Sequence, residues 1–332
     1  MKINYYFRNK QAGYSIGGVF DTICQCLAQR TIIKKTYLPS PFANVSSIFK
    51  NGWFAKNQET KGYINHITGD VHYLLYFLKS SKTIVTVHDI MYYHYLHGIK
   101  RKLWYYIYIS PLKRAAFVTF ISEFACQQVL NEIALDKNKI RIIPNPVDES
   151  FIYAPTIFND FKPTVLHIGT LERKNLKNTV KALKGISCHL RIIGELSEEQ
   201  KKLLFENLID FSSVSDLSHS QIVDEYRKAD IVNFPSLFEG FGMPIIEAQA
   251  IGRIVVTSTI SPMKEVAGEG AVLVDPYSVE DIRKAYLKII SRPQFRDDII
   301  HKGTENVKRF SVNTIANQYQ ELYRILANEE NS

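Results

Sequence analysis

Glu239 and Glu247 stand at the two ends of the run Glu239-Gly240-Phe241-Gly242-Met243-Pro244-Ile245-Ile246-Glu247. Two glycines make this backbone permissive, and proline suits the first turn of a helix. One carboxylate therefore lies in a Gly-rich loop, and the other lies just inside the helix that follows. Acids so placed at the end of a strand can grip ribose or sugar hydroxyls. Phosphates carried by such a sugar prefer nearby backbone N–H groups.

Three further groups lie where ligands of open α/β sheets bind. Gly169-Thr170 ends an apolar run and leads through Leu171-Glu172 to Arg173-Lys174. These cations can neutralise a diphosphate, the Arg as a fork of donors and the Lys as a point charge. They also fit a solvated helix start, although positive charge there costs about 0.3–1 kcal/mol. Ser15-Ile16-Gly17-Gly18 follows the first strand and opens a helix, so Gly17 and Gly18 permit close backbone approach to a ligand. This is not G-x-G-x-x-G, so no dinucleotide fingerprint is present. His88-Asp89 ends another strand-like run, where His88 fits a structural role as well as a functional one. Residues 91–114 interleave Lys and Arg with Trp104 and several Tyr, which suits either a membrane interface or a packed helix. D-x-D, H-E-x-x-H, Walker and G-x-S-x-G patterns are missing, so neither a bound metal nor an activated serine is expected.

The elements that must hold these residues alternate. Strand-like runs fall at Ile3–Phe7, Thr83–Val87, Phe117–Phe120 and Ile140–Ile143 in the first half. In the second half they fall at Thr164–Ile168, Leu190–Ile193, Asp230–Phe234, Ile254–Thr257 and Ala271–Val274. Most are short and nearly continuously apolar, as in strands buried on both faces. Helical patterns fit residues 18–30, 100–114, 122–134, 175–184, 198–208, 218–228 and 244–251, with Ser218 and Ser278 as N-caps. The alternation predicts an α/β protein with two parallel sheets. Pro144-Asn145-Pro146-Val147-Asp148 can be neither helix nor central strand, and marks the hinge. A last helix is expected over 311–327, with Ser311 at its start and Ile315, Tyr319, Leu322 and Ile325 at helical spacing.

The bulk properties narrow the classes. The chain has 332 residues, room for two domains, and its 45% apolar content is that of a globular protein. No apolar run is long enough to span a bilayer, and the start of the chain reads as a strand rather than a signal peptide. Cys24, Cys26, Cys126 and Cys188 lack metal-ligand spacing and read as reduced core thiols of a cytoplasmic protein. Residues 1–150 hold 19 Lys/Arg against 9 Asp/Glu, so the whole net charge of +8 belongs to that half. The imbalance fits an anionic partner there, or a solubilising surface.

Taken together, these residues resemble glycosyltransferase family 4. Phe234-Pro235-Ser236-Leu237-Phe238-Glu239 through Pro244, with Glu247-Ala248, is similar to its E-x7-E signature. His167–Asn175 resembles the donor-phosphate segment, and Ser261–Gly268 with Val274-Asp275-Pro276 the downstream run. Val87-His88-Asp89 and Ile121-Ser122-Glu123 resemble stretches of the acceptor side. The likeness runs through nearly all of the second half and in patches through the first. It implies the GT-B fold, with two Rossmann-like domains facing across a cleft. An acceptor-side domain over 1–150 would be joined by a helix at 311–330 crossing back to it, and a donor-binding domain would span 151–310. It further implies that Glu247 bonds the donor ribose and Glu239 the transferred sugar. Arg173 and Lys174 would stabilise the leaving diphosphate, and His88 would face the sugar or acceptor. Ser215 and Asp216 would lie by the base. Gly17, Gly18, Gly169, Gly240, Phe241, Gly242 and Met243 would complete donor binding. Two positions depart from the pattern: Thr170 stands where many members have Arg, and Pro146 where the hinge has Gly.

The implied activity is retaining, metal-independent transfer of a hexose, with no cofactor beyond the nucleotide-sugar donor. The expected acceptor is a glycan or a lipid-diphosphate-linked sugar, in lipopolysaccharide, O-antigen or capsule assembly. An anionic membrane surface is an expected partner and nucleic acid is not, which places the protein in the cytoplasm at the inner face of the membrane. The alternatives are a nucleotide-sugar epimerase of the same fold or a non-catalytic nucleotide-sugar-binding subunit.

Overall fold

In the computed structural model, residues 1–12 and 15–328 are described. The chain divides into two units, Met1–Pro146 with Ser311–Ser332, and Val147–Phe310. Each is built on a six-stranded, wholly parallel sheet. The first unit holds β1 (Lys2–Phe7), β2 (Ile32–Tyr37), β3 (Ile64–Ile67), β4 (Thr83–Val87), β5 (Phe117–Phe120) and β6 (Ile140–Ile142), in the order β2-β1-β3-β4-β5-β6. The second holds β7 (Thr164–Ile168), β8 (His189–Ile193), β9 (Phe211–Val214), β10 (Ile231–Phe234), β11 (Ile254–Ser258) and β12 (Val272–Val274), in the order β12-β11-β10-β7-β8-β9. That second order is the doubly wound one, with its direction reversing between β7 and β10.

Three strands, β2, β3 and β9, are absent from the strands expected from the sequence. β2 is an outer strand, so Lys34 and Lys35 can reach water. β3 reads Ile-Asn-His-Ile and is buried throughout because its polar side chains find partners inside. Asn65 donates to Glu59 Oε1 at 2.9 Å, and His66 is bonded through both ring nitrogens. β9 carries two Ser and also lies at an edge. The single helix expected over 100–114 is three pieces: an α-helix Gly98–Trp104, a π-helical turn Tyr105–Ile109 and a 3-10 stretch Ser110–Arg114. Pro111 lacks the N–H a continuous helix needs. Ser218 and Ser278 cap their helices by accepting from Gln221 N at 3.4 Å and Asp281 N at 3.1 Å. Of the thiols, Cys26 is only half-buried and donates to Asn313 Oδ1.

The last helix, Val312–Asn328, packs into the first unit; positions 329 and 330 of the expected 311–330 segment lie outside the described residues. Its buried Ile315, Tyr319, Leu322 and Tyr323 join Ile3, Tyr5, Phe20 and Ile23 in one core. Polar groups run through that core. Tyr323 O–H meets His66 Nδ1 at 2.6 Å and Tyr5 O–H at 2.8 Å, while His66 Nε2 meets Thr86 Oγ1 at 2.8 Å. Burial pushes the His66 pKa down to about 3, so the ring is neutral and can take one donor and one acceptor. Tyr323→Phe would leave His66 and Tyr5 each short of a buried partner. The expected loss is about 1–3 kcal/mol, read by urea unfolding of the purified protein.

Candidate active site

Two loops meet at the carboxyl ends of β7 and β10. The β7 loop begins at Gly169, whose N–H donates to Ile193 O at 2.8 Å. Gly169 has φ +89°, and a Cβ there would stand 3.0 Å from Lys174 Cγ. Only glycine both turns the chain this way and leaves room for the lysine stem. The chain then passes through a 3-10 turn, Glu172–Lys174, to Asn175 in the left-handed region at φ 65°. Asn175 Nδ2 donates to Pro235 O at 3.1 Å and Pro276 O at 2.7 Å. Leu237 N donates to Arg173 O at 2.8 Å, which ties the β10 loop to the β7 loop.

This staple brings three expected site residues together. Arg173 Nη1 and Lys174 Nζ both lie 2.6 Å from Glu239 Oε1. The side chains of Lys174 and Glu239 are only 13% and 11% exposed, so this pairing is far less screened than a surface salt bridge. Lys174 Nζ also sits 4.5 Å from the centre of the Phe234 ring. Burial pulls the Lys174 pKa below the ordinary lysine range, against the opposing pull of Glu239. The resemblance gave the carboxylate to the sugar and the cations to the diphosphate. Here the cations orient the carboxylate as well, and a diphosphate reaching them would share them with Glu239.

Glu247 lies one helix further in, on Met243–Ile251, and Tyr226 donates its O–H to Glu247 Oε2. Burial raises the Glu247 pKa to about 7, although Tyr226, His219 and Lys174 pull it down. The phenol of Tyr226 is itself edge-on to Phe151, and Phe151 is edge-on to His219. His219 Nε2 lies 2.8 Å from Ser150 Oγ, whose O–H donates to Asp148 Oδ1 at 2.5 Å. The start of the second unit thus backs the helix that carries Tyr226. Gly242 caps the Glu247 helix at φ 110°, and Pro244 occupies its first turn.

The Phe241 ring is buried, edge-on to Phe310 with centroids 5.8 Å apart, which leaves its backbone as the part a donor could meet. Gly240 and Met243 flank it on the loop and at the first helical position. Ser215 and Asp216 follow β9, two strands away from β7, and touch each other with Ser215 Oγ 3.2 Å from Asp216 Oδ2. No contact among the described residues joins them to Glu239 or Glu247.

In the first unit, Gly17 and Gly18 lie in the first turn of the helix Ser15–Leu27. A Cβ at either would meet nothing within 4 Å, so packing does not require glycine at these positions. His88 is buried, with Nε2 2.8 Å from Thr68 O. A carbonyl accepts, so Nε2 carries the proton and Nδ1 is left as an acceptor. Burial holds the His88 pKa below the usual imidazole range, which makes it a neutral hydrogen-bond acceptor rather than a cation.

Tyr226, Asn175 and His219 have no assigned role in the sequence reading. Asn175 carried a usable signal, since asparagine tolerates the left-handed region before a helix. Tyr226 is indistinguishable by pattern from a core residue. Among the described residues no group of three or more His, Cys, Asp or Glu could hold a metal ion.

The family model "Glycosyl transferases group 1" matches residues 149–306, and "Glycosyltransferase Family 4" matches residues 64–151. The O-antigen chain mannosyltransferase RfbU of Salmonella typhimurium is 26% identical over 246 residues, covering 70% of this chain and 69% of that protein. O-antigen chain mannosyltransferase B of Escherichia coli is 26% identical over 178 residues, covering 48% of this chain and 45% of that protein. The match to mannosyltransferase WbdA of Escherichia coli, 25% identical over 70% of this chain, covers only 32% of that protein. This chain therefore spans less than half of two of these three relatives. Sucrose-phosphate synthase from Thermosynechococcus elongatus superposes with a TM-score of 0.79 at 18% identity, covering 98% of this chain and 99% of its own. WaaG, a glycosyltransferase involved in lipopolysaccharide biosynthesis, does so with a TM-score of 0.73 at 12% identity, covering 97% and 99%. These superpositions establish the GT-B fold.

Proposed function

Because this chain is a glycosyltransferase of the group 1, family 4 kind, related to O-antigen mannosyltransferases, we propose that it transfers a hexose from a nucleotide-diphosphate sugar to a hydroxyl, with retention and without a metal. The convergence of Arg173 and Lys174 on Glu239 Oε1 at the β7–β10 reversal carries this reading. The difficult step is expulsion of a nucleoside diphosphate. Two fixed cations meet that developing charge with little reorganisation. Glu239, held from one oxygen, is placed to bond the sugar, and Glu247 the ribose. His88 offers Nδ1 as an acceptor for a sugar or acceptor hydroxyl.

Mannose is the hexose its relatives point to, since three of them are named mannosyltransferases. The acceptor is a glycan or a lipid-diphosphate-linked sugar, in lipopolysaccharide, O-antigen or capsule assembly. The enzyme works in the cytoplasm at the inner face of the membrane. The basic first half supports that location, and among the described residues no helix is long and apolar enough to cross a membrane.

The test is a screen of GDP-, UDP- and dTDP-sugars by thermal unfolding. A mannose donor is expected to stabilise the protein by about 2.7 kcal/mol at one hundred times its dissociation constant. Turnover with an acceptor present is expected to be unchanged by EDTA. A donor that is epimerised without acceptor, or bound and never consumed, would overturn the transferase reading.

A further inference from the structure

The helix Val45–Gln58 is apolar on two sides, with Ile48 and Phe54 packed against the core of the first unit. Its buried positions are Ser47, Asn51, Gly52 and Ala55, while Val45, Phe49 and Trp53 on its outer stripe are 67%, 56% and 62% exposed. The inward face is specific rather than accidental. Asn51 Nδ2 donates to Tyr73 Oη at 2.9 Å and its Oδ1 accepts from Ser40 N at 3.0 Å. Gly52 leaves the space that the Phe77 ring fills, since a Cβ there would come within 2.3 Å of it. The outward side of a surface helix is ordinarily polar, so the exposed Val45, Phe49 and Trp53 stripe is the unusual part.

A second exposed stripe, Ile99, Leu103 and Tyr106, lies on the helix Gly98–Trp104 and the π-helical turn after it. The two stripes are joined across the surface. Phe49 is edge-on to Phe77 at 6.3 Å, and the neighbouring Tyr76 donates its O–H to Tyr106 O at 2.6 Å. Lys50, Lys100, Lys102 and Lys113 lie on these helical segments or just after them, are exposed, and form no ion pair among the described residues. Residues 41–58 and 90–114 contain no Asp or Glu.

We infer that this face seats the protein on an anionic lipid bilayer, with Phe49, Trp53, Leu103 and Tyr106 in the headgroup–acyl boundary and the four lysines against the phosphates. The inference rests on the reading above of an acceptor presented at a membrane, and adds the surface that meets it. An amphipathic aromatic stripe with accompanying lysines is the composition such a boundary selects. A second copy of the chain fits poorly, because pairing identical faces would press the unpaired lysines together.

The experiment uses the full chain with phosphatidylcholine vesicles, with and without phosphatidylglycerol. A Trp104→Phe background leaves Trp53 as the sole tryptophan reporter. Co-sedimentation is expected only with the anionic vesicles, to fall with added salt, and to be accompanied by a blue shift of Trp53 emission. Phe49→Ser with Trp53→Ser, made in the native chain, is expected to weaken sedimentation about tenfold or more. Donor stabilisation in the thermal screen is expected to stay unchanged, which keeps failure of this surface separate from failure of the donor assignment. Vesicle binding by the double variant equal to that of the native chain would overturn the inference. So would absence of binding at low salt, or a concentration-dependent dimer that the double variant abolishes.

Discussion

Lys174→Ala is expected to lower turnover by about 100- to 1,000-fold, the range seen when one fixed stabiliser of transition-state charge is removed. Folding stability is expected to change far less, because Arg173 still reaches Glu239 at 2.6 Å. Glu239→Ala should lower turnover comparably and cost more stability, since it leaves Arg173 and a poorly exposed Lys174 side by side without their carboxylate. The two substitutions share one contact, so their combined effect should fall short of the sum. Steady-state kinetics of the single and double variants, beside urea unfolding of each, measure both quantities. Near-native turnover in either single variant would sink the assignment of these residues to the reaction.

Glu247→Gln separates binding from stability in the opposite sense. A carboxyl raised in the folded state from 4.5 to about 7 makes folding more favourable at low pH. The native state then holds a proton that the unfolded state has released, so stability falls as pH rises through this window. The full difference is about 3 kcal/mol above pH 7 at roughly 1.4 kcal/mol per pH unit, and about 1–3 kcal/mol is a fair expectation for the variant's gain. Below pH 4.5 the gain should vanish. Gln keeps an oxygen for the Tyr226 O–H but cannot become a carboxylate for ribose hydroxyls. Donor affinity should therefore fall about 10- to 100-fold. For the native chain, affinity should instead rise with pH between 6 and 8, since a nucleotide-diphosphate sugar has no titration of its own there. Calorimetric donor titrations across that range, beside unfolding midpoints of both proteins, check the signs.

The second unit was more legible than the first because its ligand edge is written in consecutive residues. Glycines at 169, 240 and 242, cations at 173 and 174, and acids at 239 and 247 are each read where they stand. Their pairing was not legible. Arg173 and Glu239 are 66 positions apart in the chain, and it takes β7 and β10 lying side by side to bring them together. Tyr226 escaped for a similar reason, since a tyrosine at helical spacing reads as packing until the structure shows where its hydroxyl goes. β2, β3 and β9 were lost to polar residues that satisfy themselves at an edge or in the Tyr5–His66–Tyr323 network. The helix Val45–Gln58 eluded pattern reading altogether, because its apolar residues are split between an inward side, Ile48 and Phe54, and an exposed stripe, Val45, Phe49 and Trp53.

The last helix also sets an order of events during synthesis. Residues 1–146 leave the ribosome first, yet the side chains that close their core, Ile315, Tyr319, Leu322 and Tyr323, are translated after the whole of Val147–Phe310. At about 5–20 residues per second, that delay is roughly ten to thirty seconds. For that interval the apolar face formed by Ile3, Tyr5, Phe20 and Ile23 waits without its cover, while the later-made unit can complete its own core. The unit that starts the chain is thus the last to finish folding, and the nascent protein is most exposed to chaperones and proteases on that unit.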